Sequence, residues 1–192
     1  MKLHTKMLLF CLALVAISVT VKIFCAPNIN LSGFTSLLGI ALFSGLRIQK
    51  RQYAFLLPIG VLFVTDIFIQ LLHIANLFPF AGFYKDQYIN YLLILAVSGI
   101  GYLLRNMRFP GFLLSLAAGP AFYFLASNFF VWLTSASIMG YSSDFNGLMR
   151  CYEFGLPFYR NSLISTAIFL PVFIGSYEWL QHGRFSLAFK KA

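Results

Sequence analysis

Asp66, Gln70 and His73 recur at i, i+4 and i+7 inside an otherwise apolar stretch, which puts a carboxylate, an amide and an imidazole on one helical face. Such a face could orient a polar ligand through hydrogen bonds or pass a proton. Asn128, Trp132 and Ser135 make a similar stripe further on, and Asn161 and Ser165 share a third. Arg150 and Glu153 stand between these two stripes, and Arg160 precedes Asn161 directly, just after Pro157. A guanidinium beside an amide suits an anionic or amide-bearing ligand, because planar donors meet carboxylate geometry two at a time. Trp132 adds a ring on which an aromatic group could stack. Asp66, Gln70, His73, Asn128, Trp132, Arg150, Glu153, Arg160 and Asn161 are therefore the candidate ligand-binding residues.

Most of them also have a plain structural use. Asp66 has two cations available for a helix-joining ion pair, Lys22 and Arg160. His73 reads as a boundary residue, since no second His or Cys stands at metal-ligand spacing. Trp132 and the repeat Tyr84, Tyr88, Tyr91 suit an aromatic belt at a membrane interface. Arg150 and Glu153 can pair along a helix surface. No phosphate-cradling glycine loop, HExxH or GxSxG motif occurs, so no catalytic residue, metal or cofactor is assigned and an enzyme is not expected.

The elements that must position these residues follow from composition. Of 192 residues 60% are hydrophobic and 10% charged, against roughly a quarter charged in soluble domains. Polar residues inside apolar runs are costly, so their places are informative. Apolar runs fall at 7–25, 31–46, 53–74, 88–104, 109–135 and 161–180, which predicts an all-α, polytopic transmembrane bundle of about six helices forming one domain. The second run is short and opens on Ser32-Gly33, so it is expected to be little tilted or partly re-entrant. Pro58, Pro120 and Pro171 fall within spans as potential kinks, and Ala41, Gly45, Gly111, Ser115 and Gly119 offer close-packing faces.

Charge sets the expected orientation. Ten of the 14 Lys and Arg residues (Lys2, Lys6, Arg47, Lys50, Arg51, Arg105, Arg108, Arg184, Lys190 and Lys191) fall on one side of a six-span layout. The positive-inside rule then places both termini in the cytoplasm. Basic residues at span ends are membrane topology signals, and without a basic stripe of exposed aromatics a nucleic-acid partner is rejected. The first 26 residues resemble a secretory signal, yet their apolar run is too long and no small-x-small site precedes Pro27, so they are read as a span. Cys11, Cys25 and Cys151 lack zinc spacing; unlinked thiols are expected, with a Cys25–Cys151 bridge as the alternative. On this topology the polar stripes gather in the outer halves of the spans, implying a bundle closed toward the cytoplasm with a cavity opening outward.

The segments Leu38 to Gly45, Leu57-Pro58 with Thr65-Asp66, Ser127-Asn128-Phe129-Phe130-Val131-Trp132-Leu133, and Cys151-Tyr152-Glu153 with Leu156-Pro157-Phe158-Tyr159-Arg160-Asn161-Ser162 resemble a family of bacterial integral membrane proteins known only as a domain of unknown function. The likeness covers about 28–175 and implies a bacterial inner-membrane location. Size and layout are in turn similar to the substrate-binding S components of energy-coupling-factor vitamin transporters. That resemblance implies a vitamin-like solute held near the outer face, with transmembrane and ATPase partner subunits. The chain departs from it in the first helix, where Ala13 is followed at i+4 by Ile17 and Ala16 by Thr20 rather than by alanine. The expected function is small-solute binding and uptake. An envelope structural or assembly role is the alternative, and a membrane-embedded lipid-modifying enzyme stands behind both.

Overall fold

The structure, a computed structural model, describes residues 3–182. They form helices α1 (Leu3–Cys25), α2 (Leu37–Arg47), α3 (Arg51–Ile74), α4 (Gln87–Leu104), α5 (Arg108–Met139) and α6 (Phe145–His182). Two 3-10 turns, Ile29–Leu31 and Arg105–Met107, complete the regular structure, and no strand occurs among the described residues. Four of the orientation-setting basic residues, Lys2, Arg184, Lys190 and Lys191, lie outside the described residues. Five helices are long and apolar enough to cross a membrane, which makes this a multi-pass membrane protein.

The sixth helix, α2, is different. Its 11 residues reach only about 16 Å at 1.5 Å per residue, roughly half of a ~30 Å hydrocarbon core. Every residue from Leu38 to Leu46 is buried, against α3, α4, α5 and α6. A helix apolar on all sides belongs in a core, and α2 is the axis around which the long helices pack. Contact is close because small residues meet: a Cβ on Gly45 would overlap the Ser98 carbonyl oxygen of α4, and one on Gly101 would lie 2.7 Å from the Leu42 carbonyl oxygen. In lipid this backbone proximity supplies the packing that a hydrophobic drive cannot. Phe43 stacks edge-on with Phe10 of α1 and Tyr177 of α6, tying the outer ring to the axis.

Residues 26–36 cover the distance that α2 lacks. The Ser18 and Ser36 hydroxyls are 2.9 Å apart, so the segment descends beside α1 before α2 begins. Irregular backbone at that depth is tolerated only where protein satisfies it. Asn161 of α6 does so, its Nδ2 donating to the carbonyls of Asn30 and Ser32 at 2.8 Å each. Ser162 Oγ donates to the Gly33 carbonyl at 2.9 Å. Gly33 takes φ +85 in this crossing, a conformation that favours glycine. The run expected at 31–46 is thus part re-entrant segment and part half-length helix. Asn161→Ala should cost about 1–3 kcal/mol through orphaned carbonyls, read as a lower melting temperature in detergent together with faster proteolysis within 26–36.

A second correction concerns 136–160, which falls between the apolar runs 109–135 and 161–180 and is expected from the sequence to be an outer loop. Helix α5 runs on to Met139, and α6 starts at Phe145 rather than near 161, so Arg150, Glu153 and Arg160 are helical. Asp144 starts α6 by accepting from the Gly147 amide at 2.8 Å and from Ser142 Oγ at 2.5 Å. These bonds to the charged form hold its carboxyl below the ordinary 3.8, the Ser142 hydroxyl contributing most. A depressed carboxyl stabilises above its unfolded pKa and loses that contribution as pH falls through the folded value. Acidification below about pH 4 should therefore lower the protection of the Asn146 to Leu148 amides, relative to their intrinsic exchange at each pH, in the wild type but not in Asp144→Asn.

Candidate functional site

Asp66 sits on α3 with its side chain fully buried, and three donors converge on it. Lys22 Nζ of α1 reaches Oδ1 at 2.9 Å; Tyr91 Oη donates to Oδ2 at 2.9 Å, and Gln87 Nε2 donates to the same oxygen. Of the two cations open to it in the sequence, Asp66 therefore pairs with Lys22. Two neutral donors and one ammonium meet this carboxylate, and they join α1, α3 and α4 at one point. Gln87 Oε1, buried beside them, has no hydrogen-bond partner.

The remaining residues of the α3 face act on the connection 75–86. Gln70 Oε1 accepts from the Gly82 and Phe83 amides at 3.0 and 3.1 Å. His73 Nδ1 lies 3.1 Å from the Phe78 carbonyl, an acceptor only, which fixes the Nδ1–H tautomer. Phe78 is buried as a result, and the connection folds back over the end of α3. The stripe is thus one carboxylate that organises a charge cluster and two groups that fasten a roof.

Beneath that roof lies a cavity of about 540 Å³. Lys22, Ser162 and the re-entrant residues Ser32 to Thr35 form one wall; Asn90 and Tyr123 form the other; Phe78, Phe80 and Tyr84 cover it. Tyr123 Oη donates to Asn90 Oδ1 at 2.7 Å, and both residues line the space. The Lys22 side chain is 27% exposed, and one of its N–H groups is held by Asp66. No Asp or Glu lines the cavity among the described residues, so Lys22 contributes its formal charge.

The other candidates are placed elsewhere. Asn128 Nδ2 donates to the Phe124 carbonyl at 2.9 Å, and its own carbonyl accepts from the Cys151 thiol at 3.4 Å, so it joins α5 to α6. Cys11, Cys25 and Cys151 are all free, and the Cys25–Cys151 bridge is absent. Trp132 Nε1 donates to the Ser142 carbonyl at 3.0 Å and fastens the α5–α6 turn. Arg150, Glu153 and Arg160 are exposed on α6 and line neither this cavity nor the larger groove described below. Asn161 holds the cavity wall in place through Ser32 without lining the cavity.

Lys22, Gln87, Asn90 and Tyr123 are the residues that the sequence pattern did not single out for a site. One signal was available: Lys22 stands inside the apolar run 7–25, in the last turn of α1, and needs a partner there, and Asp66 is an acid within a neighbouring apolar run. Gln87 and Asn90 look like ordinary helix-start polar residues until α3 and α5 are packed against them.

No curated protein and no solved structure matches the chain significantly. One family model does, over residues 2–188. The match covers nearly the whole chain, the cluster on Asp66 and every wall of the cavity included, and the protein belongs to DUF6580, a family of unknown function.

Proposed function

We propose that the protein binds a small anionic or amphipathic solute in the cavity beside Lys22 and serves its uptake. What carries the reading is the Lys22 ammonium, the formal charge on the cavity wall, held in place by a carboxylate that three protein donors already occupy. The remaining N–H groups of Lys22 and the Asn90 amide can meet an anionic or carbonyl oxygen. Phe34, Phe78, Phe80 and Tyr84 offer the apolar counterpart. A volume of about 540 Å³ lies within the ~300–1,000 Å³ of ordinary small-molecule pockets and suits a vitamin-sized ligand.

Topology supports uptake rather than release. Arg47, Lys50 and Arg105 gather at the end of the bundle opposite Lys22. By the positive-inside rule that end is cytoplasmic, so both termini lie on the cytoplasmic side of a bacterial inner membrane and the cavity lies toward the outer face, under the connection 75–86. The resemblance to S components gives the same layout, with energy coming from transmembrane and ATPase partners. Catalysis is no part of the proposal, since Glu153 is exposed and does not join Asp66 in either cavity.

The test is native mass spectrometry of protein purified in mild detergent. A retained anionic small molecule is expected in the wild type and in Arg160→Ala. Asn90→Leu should weaken retention by about tenfold, the ~1.4 kcal/mol of one good hydrogen bond. Equal retention in Asn90→Leu would remove the cavity from the account.

An assembly role in the envelope has one observation behind it. The first half of α6 exposes Arg150, Glu153, Phe154, Leu156 and Arg160. The 38 residues of α6 would measure about 57 Å if straight, well beyond a ~30 Å hydrocarbon core. In-cell crosslinking from Phe154 to one defined protein, with no small molecule retained, would favour that role.

A further inference from the structure

At the end of the bundle opposite the cavity, α1 and α3 part to leave a lateral groove of about 1940 Å³. Its side walls carry small residues, Ala16 of α1 and Gly60 of α3, and space is open beside Gly60, where an added Cβ would meet nothing within 4 Å. From Tyr53 to Phe68 the α3 wall runs about 22 Å at 1.5 Å per residue, longer than the ~15 Å hydrocarbon depth of one leaflet. The groove mouth holds Arg47, Lys50 and Arg105 against the single carboxylate of Glu178. Glu178 pairs with Arg47 at 3.7 Å. Lys50 and Arg105 rest on the faces of Tyr53 and Tyr102, at 5.7 and 4.9 Å.

We infer that this groove is a binding site for an anionic phospholipid, with one acyl chain along α3 and the headgroup phosphate at Lys50 and Arg105. Two features separate a lipid from a solute. The volume exceeds the ~300–1,000 Å³ of small-molecule pockets, and the walls are apolar for more than a leaflet's depth while cations gather at one end only. A basic pocket between transmembrane helices at the headgroup level recognises anionic lipid by charge, and guanidinium binds phosphate with aligned donors. The site is separate from the Lys22 cavity and holds whichever way the bundle is oriented.

Delipidated protein, loaded with phosphatidylglycerol or phosphatidylcholine and analysed by native mass spectrometry, tests this. The wild type should retain phosphatidylglycerol at least several-fold over phosphatidylcholine, and excess inorganic phosphate should not displace it. Lys50→Gln/Arg105→Gln should abolish the preference while keeping the same melting temperature. Gly60→Leu, built into open space, should exclude both lipids. An unchanged preference in Lys50→Gln/Arg105→Gln would overturn the site, as would full lipid retention in a folded Gly60→Leu. Displacement of the lipid by a second copy of the chain, seen as a dimer that Gly60→Leu abolishes, would also overturn it.

Discussion

Asp66→Ala is expected to cost about 3–5 kcal/mol, because it leaves a partly buried ammonium with no counter-charge. The Gln87 amide and the Tyr91 hydroxyl would lose their acceptor in the same step. Lys22→Met should be costly for the mirrored reason, a fully buried carboxylate left with neutral donors alone. The two losses should not add. In Lys22→Met/Asp66→Asn both charges are gone, and the asparagine keeps an oxygen for Gln87 and Tyr91. That double variant should recover most of the loss, since neutral replacement of a buried pair is often tolerated where breaking it is not. Thermal unfolding of the three variants in one detergent measures the cycle. Equal, additive losses would show that the pair contributes little and that each residue matters for separate reasons.

Gly45→Leu is the second large effect. Gly45 lies where α2 and α4 meet backbone to backbone, and a side chain there would strike the Ser98 carbonyl and the Tyr102 amide. Backbone cannot rotate aside as a flexible side chain can, so the helices must separate. Because α2 is buried on all sides, separation there disturbs α3, α5 and α6 as well. A loss of about 3 kcal/mol or more is expected, at the upper end of overpacking costs, seen as little monodisperse protein on gel filtration. Gly60→Ala is the control: its site faces open space, and alanine gains about 0.8–1 kcal/mol of helix propensity over glycine.

The contrast between those glycines shows what composition alone reveals. Hydropathy and charge placement are enough to expect the long helices, since each needs only a run of apolar residues. The shape of α2 depends on a different kind of fact. Ser32-Gly33 marks the break, but only Asn161 and Ser162, more than a hundred residues later, make an irregular crossing stable at that depth. The segment 136–160 reads as a loop because Gly147, Gly155, Pro157 and several charges interrupt its hydropathy. It is helical because Asp144 caps it and because Gly155 lets α6 lie against Asn128 and Phe124 of α5.

The candidate site divides along the same line. Helical spacing places Asp66, Gln70 and His73 on one face, and they do share it. What each residue touches is set by neighbouring helices, whose approach no local period encodes. Arg160 has the chemistry of an anion clamp but faces outward on α6, whereas Lys22, inside an apolar run, faces the cavity. Burial, rather than residue type, separates the two.

The most direct test of the account uses the double variant again. Lys22→Met/Asp66→Asn should remain folded, so loss of ligand in it cannot be ascribed to loss of structure. Native mass spectrometry of wild type and double variant, purified side by side, is the measurement. The account predicts an anionic small molecule on the wild type and none on the folded double variant. The same bound mass on both would contradict it, and Lys22 with Asp66 would then be a joint between helices and nothing more.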